Sequence, residues 1–412
     1  MQVDTMRKID RWAGIPLTIA LTFWLKAVDF FKRKSREQDA DLSRTLFIEL
    51  SEMGSAVIVD PAMRKIHDEG GSELYFVIFK DNVKSLSILN TVPNQNIFLM
   101  RSDNFINLSI DIVRFIFWCR KNEITTTIDL ELFSRFTALL GGVSGATSRV
   151  GFATLHDEGC YRGDLLTHPV RFNSHIHIAE NFFALVNTAL GFNNSEYPTH
   201  PVLPEELTLE KLSYSEHDHK PVRTKISRMY PGFDDHRIVL INPNASELLP
   251  QRRWLAENFA EVIQTILENY KDILVVITGA PNEHAEAEKL RELVEHSRCV
   301  NSAGIFAFDE LLPLYDLSTL MLTNDSGPGH FSSVTKLKVY VLFGPETPAL
   351  YGSLGNAENF YLGLPCSPCV SAHNHRKTSC TDRPCITGIT PSMVLERISK
   401  SLNQIQLNTI EP

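Results

Sequence analysis

Short apolar runs alternate with amphipathic stretches along most of this chain. In the first half, four apolar runs have the length of buried strands: "RTLFIEL" (44–50), "ELYFVIFK" (73–80), "QNIFLMR" (95–101) and "TTTIDLE" (125–131). Helical patterns lie between them. Strands that alternate with helices are typical of parallel βαβ units. The pattern therefore predicts an α/β domain over residues 39–215.

The same alternation restarts after a charged, proline-rich interval, and residues 216–236 are predicted to be an interdomain linker. New strand patterns follow: "RIVLIN" (237–242), "DILVVIT" (272–278), "TLMLTND" (319–325) and "KVYVLFG" (338–344). A second α/β domain is predicted over 237–412, with a cysteine-rich loop at 366–385 and a C-terminal helix. Ligands of parallel sheets bind beyond the carboxyl ends of the strands, so a cleft between two such domains is the expected site.

Residues 1–38 are predicted to form a separate amphipathic helix. As a helix, "IDRWAGIPLTIALTFWLKAVDFFKRK" (9–34) is apolar except for one stripe, which carries Thr18, Thr22, Lys26 and Asp29. The apolar stretch is barely long enough to cross a bilayer, and it contains charged residues. An in-plane membrane helix, with the basic run 32–34 near anionic headgroups, fits the pattern. The alternative is a helix that packs on the protein's own core.

The composition narrows the class of protein. A length of 412 residues, with 43% hydrophobic and 22% charged residues, is ordinary globular usage and suffices for two domains. The net charge of −9 argues against a nucleic-acid-binding protein, because such proteins usually carry a basic face. Seven cysteines are too few for a disulfide scaffold at this length.

The segment "TNDSGPGH" (323–330) predicts an anion site at the end of a strand. Pro328 suits the first turn of a helix, and glycines allow backbone N–H groups to approach a ligand. A helix start attracts a diphosphate. The candidate ligand-binding residues here are Asp325, Ser326, Gly327 and His330. The alternative is that Asp325 and Ser326 only cap the helix.

Three further polar loops end strands of the same predicted sheet: "NPNASELLPQRRW" (242–254), "TGAPNE" (278–283) and "LFGPETPALYG" (342–352). They add hydrogen-bonding groups, a basic clamp and an acid for ribose hydroxyls. Four such loops at one edge suit a nucleotide better than four separate helix caps. The candidate residues in the first two loops are Asn244, Ser246, Arg252, Gly279 and Glu283.

These loops together resemble glycosyltransferase family 9, the heptosyltransferase family of lipopolysaccharide assembly. The similarity also covers "LFIELSEMGSAVIVDPAMRKI", "FSRFTALLGGVSGATSRVGF" and "HPVRFNSHIHIAENFFALV", and so extends over roughly residues 40–400. It implies a GT-B fold, in which two Rossmann-like domains flank a cleft, the first domain holding the acceptor and the second the sugar nucleotide. It also implies inverting transfer from an ADP-heptose-like donor, with no cofactor required for catalysis.

One departure from the family concerns the catalytic base. The family's first loop has Gly-Asp, and that acid is its presumed general base, whereas here Ser55 follows Gly54. A serine has no suitable pKa, so Glu52 is the predicted substitute, with Ser55 as a positioning residue. Asp157 and Glu158 are further candidates.

On the acceptor side, Gly54, Arg149 and His168 are predicted to contact an anionic acceptor, within a wider basic group that includes Arg162, Arg171, His175 and His177. Each histidine taken singly is more often structural than functional.

Four cysteines near the C-terminus have the spacing of a structural zinc site: Cys366, Cys369, Cys380 and Cys385. His373 and His375 are alternative ligands. The other interpretation is a set of reduced thiols, as expected in the cytoplasm.

The resemblance thus implies a cytoplasmic glycosyltransferase of the cell envelope, peripheral on the inner membrane. It would move a sugar, such as heptose, from a nucleotide diphosphate to a lipopolysaccharide-type or other glycan or glycolipid acceptor. Two alternatives stay open: a catalytically silent nucleotide-sugar-binding protein, and a sugar-nucleotide epimerase of GT-B architecture. The residues leave the sugar, its nucleotide and the acceptor open.

Overall fold

The computed structural model describes residues 10, 12–32, 40–51, 53–132, 134–152, 162–233, 236–245, 249–371, 374 and 376–410, with the backbone alone for 29–32 and 405–410. The chain divides into two compact units. The first comprises residues up to Thr208 together with the short segment 372–375, and the second comprises 209–371 and 376–412.

The first unit contains a six-stranded parallel sheet. Its strands are β1 (Arg44–Ile48), β2 (Glu73–Phe79), β3 (Ile97–Met100), β4 (Thr126–Asp129), β5 (Ser148–Phe152) and β6 (His168–Val170). Their order across the sheet is β3-β2-β1-β4-β5-β6, so the direction of progression reverses between β1 and β4. This is the strand order of the Rossmann fold.

Helices cover both faces of this sheet: α1 (Gly14–Lys32), α2 (Met53–Ile58), α3 (Asp60–Gly70), α4 (Phe105–Lys121), α5 (Arg135–Ser144) and α6 (Ile178–Ala189). Helices α4 and α5 share one core with β1, β2 and β3. In that core Leu108, Phe115 and Cys119 of α4 and Leu140 of α5 pack among the strand side chains.

The second unit repeats this topology. Its strands are β7 (Arg237–Asn242), β8 (Ile273–Ile277), β9 (Cys299–Asn301), β10 (Leu320–Asn324), β11 (Lys338–Leu342) and β12 (Ala357–Phe360). All are parallel, in the order β12-β11-β10-β7-β8-β9, so the reversal lies between β7 and β10. Strand β7 ends where Pro243 removes a ladder donor.

The helices of the second unit are α7 (Glu216–Met229), α8 (Ala256–Asn269), α9 (His284–Val294), α10 (Leu311–Leu317), α11 (Gly327–Phe331), α12 (Pro348–Tyr351), α13 (Pro384–Thr387) and α14 (Pro391–Ile410). One core cluster joins α8, α9 and α14 to the strands, with Phe259, Leu290 and Ile398 fully or almost fully buried. Residues 216–236 were predicted as a linker, but most of this stretch is helix α7, which buries Val222 and Ile226.

The sequence pattern did not predict β5, β6 and β12. Strand β5 carries Arg149 and Gly151, β6 has only three residues, and β12 shows polar residues at two of its four positions. Two of the three lie at the edge of a sheet. Edge and short strands are less apolar than central ones, so they leave a weaker pattern.

Helix α1 packs on the first unit through its polar stripe. Thr18 and Thr22 are buried, and Thr22 Oγ1 accepts a hydrogen bond from the Asp164 backbone N–H at 3.1 Å. Leu21 also packs inward, against Gly142, whereas Ile15, Leu17, Ile19, Phe23 and Trp24 are exposed. Within the described part of the chain, no helix is both long enough and apolar enough to cross a membrane.

Candidate nucleotide-binding site

The carboxyl edge of the second sheet, at the point where the strand order reverses, holds the predicted polar loops. Asn324, the last residue of β10, ties two of them together. Its Nδ2 donates to the Pro243 carbonyl at 2.7 Å, and its Oδ1 accepts from the Trp254 backbone N–H at 3.1 Å. Trp254 is buried, and its Nε1 donates to the Ile389 carbonyl at 2.8 Å. The loop that carries Arg252 is therefore fixed beside the end of β10.

Arg252 lies between two buried carboxylates. Its Nη1 is 3.4 Å from Asp325 Oδ2 and 3.4 Å from Glu346 Oε2. The two acids are only 3% and 2% exposed. Buried carboxylates require cationic partners, because desolvation strongly disfavours an isolated charge. The structure thus brings together Arg252 and Asp325, which the sequence analysis had assigned to one ligand.

Glu346 and Arg376 complete this charge cluster and were not singled out from the sequence. Arg376 Nε lies 2.8 Å from Glu346 Oε1, and its guanidinium stacks on the Tyr351 ring at 4.6 Å. Burial raises the pKa of Glu346 and neighbouring Asp325 adds to the rise, against the pull of Arg376 and Arg252. An acid in a Gly/Pro loop directly after β11 was the available signal for Glu346. Arg376 lies far along the chain, in the cysteine-rich loop, and gave no signal.

A second group at this edge consists of Asn244, Gly279 and Glu283. A Cβ on Gly279 would lie 2.9 Å from Asn244 Nδ2 and 3.1 Å from Glu283 Oε2, so the three residues surround one small space. Glu283 also accepts from the Ala280 backbone N–H at 2.7 Å. The acid therefore caps its own turn and faces Asn244 at the same time. Asn242 Nδ2 donates to Thr278 Oγ1 at 3.2 Å, which joins the ends of β7 and β8.

The segment after β10 does not form a simple helix cap. Ser326 occupies the N-cap position of α11 without a side-chain capping bond, and its Oγ donates to the Asn324 carbonyl at 3.1 Å. The Asp325 carboxylate pairs with Arg252 instead. Pro328 lies in the first turn of α11, as predicted, and Gly327 and His330 are half-buried on this five-residue helix.

Two nitrogens at this edge are buried without an acceptor. Among the described residues, neither Asn244 Nδ2 nor Arg252 Nε has a hydrogen-bond partner. A buried donor left unpaired costs about 1–3 kcal/mol. A ligand with acceptor oxygens, such as a nucleotide diphosphate, would supply the missing partners.

The remaining residues of the first loop have other positions. Both Nε and Nη2 of Arg253 donate to the Ala245 carbonyl, at 3.1 and 2.8 Å, so this residue holds the loop's shape. Ser246, predicted to bind the donor, lies outside the described residues.

In the first unit, the loop after β1 lies at the corresponding reversal point. Glu131 Oε1 accepts from the Leu50 and Ser51 backbone N–H groups, each at 3.1 Å, and from Ser51 Oγ at 2.8 Å. Asn82 Nδ2 donates to the Leu50 carbonyl at 2.9 Å. The start of this loop is thus fixed from both sides.

The predicted catalytic residues follow this anchored loop. Gly54 and Ser55 lie in α2, and Ser55 is buried. Glu52, the predicted base, lies outside the described residues, as do Asp157 and Glu158.

Arg149 and His168 are bonded within the first unit. Arg149 Nε donates to the Leu165 carbonyl at 2.6 Å and its Nη1 to the Ala146 carbonyl at 2.8 Å. His168 begins β6, at the amino end of the strand, and its Nδ1 lies 2.8 Å from Thr167 Oγ1. Burial, with a smaller effect from Arg149, lowers the pKa of His168. Parallel sheets bind ligands at the opposite, carboxyl edge, so neither residue lies where an acceptor is expected to bind.

The wider basic group is also largely structural. Arg162 donates to the Phe152 carbonyl at 2.8 Å and forms a buried ion pair with Asp129. Burial raises the pKa of Asp129 to about 6. His177 caps α6, and Arg171 pairs with Glu196.

The four C-terminal cysteines are free thiols in the structure, and Cys385 is buried. Burial raises the pKa of Cys385, and Cys369, Cys366 and Cys380 add to the rise. Over the ranges that the structure describes, no group of three or more His, Cys, Asp or Glu side chains is arranged to hold a metal ion. His373 and His375 lie outside those ranges.

Two consecutive Rossmann-like units define the class, the GT-B architecture, which confirms the predicted fold. The structure of E. coli ADP-heptose lipopolysaccharide heptosyltransferase II has a similar fold, with a TM-score of 0.68, 18% identity, and coverage of 88% of this chain and 99% of that one. A glycosyltransferase family 9 protein from Veillonella parvula gives a TM-score of 0.68 at 16% identity, over 90% of this chain and 100% of that one.

The sequence comparison identifies the family. The model of glycosyltransferase family 9 (heptosyltransferase) matches residues 130–379, more than half of the chain. Lipooligosaccharide heptosyltransferase 2 of Campylobacter jejuni is 29% identical over 167 residues, which are 40% of this chain and 51% of that protein. Lipopolysaccharide heptosyltransferase 2 of E. coli is 23% identical over 222 residues, 52% of this chain and 60% of that protein. The matches thus span only about half to three fifths of these relatives. The chain belongs to glycosyltransferase family 9.

Proposed function

We propose that this protein is an inverting glycosyltransferase that moves a sugar from a nucleotide diphosphate to a lipopolysaccharide-type acceptor. One observation carries the proposal: at the carboxyl edge where the second sheet reverses direction, Arg252 is held between two buried carboxylates, and the buried Asn244 Nδ2 has no acceptor among the described residues. Family membership supports sugar transfer, and the names of the relatives favour ADP-heptose as donor and a lipopolysaccharide core as acceptor.

The donor would bind with its diphosphate at Arg252. Charge develops on the leaving diphosphate as the glycosidic bond breaks, and a fixed guanidinium stabilises that charge. Helix α11 has only one turn, so its dipole contributes little, and Arg252 provides the main positive charge. Asn244 and Glu283 lie where they could bind hydroxyl groups of the ribose or the sugar.

The acceptor hydroxyl needs a base, and Glu52 is proposed for this role. Inverting transfer removes a proton from the acceptor as the new bond forms. Glu131 is a poorer candidate because its Oε1 already accepts hydrogen bonds from three donors of this loop. Its contacts instead fix the loop that leads to Glu52.

Donor binding is the first test. Calorimetric titration with ADP-, UDP-, GDP- and dTDP-sugars should give saturable binding of one nucleotide. Arg252→Ala should weaken that binding by about 10- to 100-fold, because a hydrogen bond to a charged group contributes about 1.5–3 kcal/mol. Asp325→Ala should also weaken it, since Asp325 orients Arg252. Arg291→Ala is the matched control, since this half-exposed arginine pairs with Glu288 on the same helix, α9. Absence of binding by any nucleotide would refute the donor site.

Transfer to a panel of lipopolysaccharide inner-core acceptors tests the base. Glu52→Gln should lower kcat by at least about 100-fold and leave the donor Kd within twofold. Glu131→Gln, which keeps an acceptor oxygen for the loop, should retain most of the activity. The reverse pattern would transfer the assignment to Glu131. Nucleotide binding without transfer to any acceptor would favour the silent binding protein.

We also propose that the four C-terminal thiols bind a structural zinc ion, on the basis of their C-x2-C and C-x4-C spacing. Metal analysis of protein purified without chelators should find about one equivalent of zinc. Cys369→Ser with Cys380→Ser should abolish it. If the wild-type protein contains no metal and melts at the same temperature as the double variant, the zinc proposal is wrong and the cysteines are four reduced thiols.

A further inference from the structure

Two helices of the first unit present an unusual number of large apolar side chains to solvent. Of the nineteen large apolar side chains that are exposed among the described residues, ten lie on α1 and α4. Monomeric soluble proteins rarely concentrate exposed apolar surface in this way unless that surface binds something.

Helix α4 carries an outward apolar stripe. Ile106, Ile110, Val113 and Phe117 recur at helical spacing and are 71, 47, 53 and 70% exposed. The opposite face supplies Phe115 and other buried residues to the core. Packing within the first unit explains why the inner face of α4 is apolar, but it does not explain the apolar outer face. The outer stripe therefore has the pattern of an amphipathic helix turned toward a second, external apolar phase.

Helix α1 also presents large apolar side chains to solvent, but the face that it buries is polar. Its threonine stripe faces the protein, while Leu17, Phe23 and Trp24 are 54, 70 and 56% exposed. A helix that folded only for its own unit would bury these side chains, since each contributes about 1.5–3 kcal/mol when removed from water.

Both helices flank α5 and so belong to one layer. On one side of α5, Gly142 allows close approach of Leu21 from α1: a Cβ on Gly142 would lie 2.8 Å from Leu21 Cδ2. On another side, Arg120 of α4 donates to the Ser144 carbonyl, and Leu140 shares the α4 core. The two exposed apolar faces thus lie on the same side of the sheet.

Helix α4 carries more exposed basic than acidic side chains. Arg114, Arg120 and Lys121 are exposed, whereas its one acid, Asp111, is buried and pairs with Arg101 at 2.7 Å and with Arg114 at 3.1 Å. On α1, the half-exposed Lys26 pairs with Asp164 at 2.6 Å and adds no net charge. Local positive charge in a chain of net charge −9 is complementary to anionic headgroups.

We propose that α1 and α4 together form one membrane-binding surface that lies in the plane of an anionic phospholipid bilayer. The apolar stripes enter the boundary between headgroups and acyl chains, and the arginines and lysines contact lipid phosphates. This surface assigns to α4 a role equal to that of the N-terminal helix. The inference does not depend on the sugar-transfer activity.

Vesicle co-sedimentation with the full chain tests the proposal. Wild-type protein should bind phosphatidylglycerol–phosphatidylethanolamine vesicles and bind neutral phosphatidylcholine vesicles several-fold less. The double variant Ile106→Gln/Phe117→Gln on α4 should lower the vesicle partition constant by about tenfold or more. The double variant Phe23→Gln/Trp24→Gln on α1 should have the same effect. Quenching of tryptophan fluorescence by brominated lipid should occur in wild type and fall in the α4 variant.

Leu293→Gln provides the matched control, because Leu293 is 46% exposed on α9 of the second unit. It should bind vesicles like wild type. All these positions are exposed, and unchanged melting temperatures would show that the variants fold.

Vesicle binding that survives the α4 substitutions would overturn the proposal. So would equal loss in Leu293→Gln. If wild type binds no vesicles and light scattering shows a dimer that the α4 variant dissociates, the occupant is a second copy of the chain, and the bilayer assignment is wrong.

Discussion

At the scale of single residues, the candidate donor site is positioned by side chains that touch no ligand. Asn324 fixes two loops with one amide group, and Trp254 anchors one of them in the core. Arg252 is then oriented by two acids rather than left mobile in solvent. A guanidinium held in place before the ligand arrives loses less entropy on binding.

Gly279→Ala tests how tightly the second group of the site is packed. The added Cβ would lie 2.9 Å from Asn244 Nδ2, 3.1 Å from Glu283 Oε2 and 3.2 Å from Ala303 Cβ, so both polar side chains must move. We expect nucleotide affinity to fall by about tenfold. The melting temperature should change little.

Calorimetric titration and thermal unfolding of the same samples measure the two effects. Gly141→Ala is the control, because its nearest neighbour would be 3.6 Å away. Unchanged affinity in Gly279→Ala would mean that Asn244 and Glu283 do not contact the nucleotide.

At the scale of elements, α1 and α4 depend on specific contacts that the amphipathic pattern does not reveal. Helix α1 approaches α5 because residue 142 has no side chain. Helix α4 is held to the end of β3 by Asp111, whose carboxylate accepts from Arg101 Nε and Nη2 at 2.8 and 2.7 Å. Such bidentate pairs combine charge with geometry.

Gly142→Val should detach α1 from α5. The first added carbon would already lie 2.8 Å from Leu21 Cδ2. Hydrogen exchange of the α1 backbone amides should accelerate by about tenfold or more, because the helix loses its packing against the unit. The double variant Gly142→Val/Leu21→Ala should restore much of the protection. If Gly142→Val leaves exchange unchanged, α1 does not rely on this contact.

Asp111→Asn should destabilise the protein in a pH-dependent way. Hydrogen bonds from Arg101 lower the pKa of Asp111 to about 2. A carboxylate with a lowered folded-state pKa contributes stability above its unfolded pKa near 3.8 and loses it as the pH falls through about 2. We expect a loss of about 2 kcal/mol at pH 7 that shrinks between pH 4 and pH 2.

Urea unfolding of wild type and variant at pH 7, 4 and 2.5 measures this difference. Asp103→Asn is the comparison, since Asp103 is exposed just before the same helix; the Asn107 amide holds its pKa below the usual range, so its replacement should give a smaller loss with the same pH dependence. A constant difference between wild type and Asp111→Asn across this range would contradict the role of the Arg101 pair.

At the scale of the whole molecule, the chain forms two units with the same strand order and different edges. At the reversal point of the first sheet Glu131 fixes the loop, whereas that of the second carries Arg252 and Arg376 beside Asp325 and Glu346. Among the described residues, the two arginines favour the second edge for an anionic ligand. The two units should therefore respond differently to a nucleotide.

Differential scanning calorimetry with ADP tests this difference. At ADP concentrations about 100-fold above Kd, the unit that binds should gain about 2.7 kcal/mol, or roughly 5–10 °C in its transition. We expect this shift in one transition of the wild type and its loss in Arg252→Ala. A nucleotide shift that persists in Arg252→Ala would place the ligand elsewhere.

Much of this organisation could be predicted from the sequence. Central strands such as β1 and β7 are buried on both faces, so they appear as continuous apolar runs. The polar loop that follows β7 contains Asn244 and Arg252, which is how the sequence analysis found them. What the pattern could not show has physical reasons. The sequence marks Thr18 and Thr22 as one polar stripe, but which side of a helix is buried depends on what it packs against, and here the stripe is buried. Glu346 and Arg376 meet only in three dimensions, and no local pattern records such a pair.

The repeated topology has a consequence for how such a protein can change over evolution. When two halves of a chain share one framework, the loops at one sheet edge can be exchanged without disturbing the core of either half. Under the proposed function, recognition of the nucleotide would be inherited with residues 237–412, and recognition of the acceptor with the half that precedes them. A lineage, or an engineer, could replace one specificity while conserving the other.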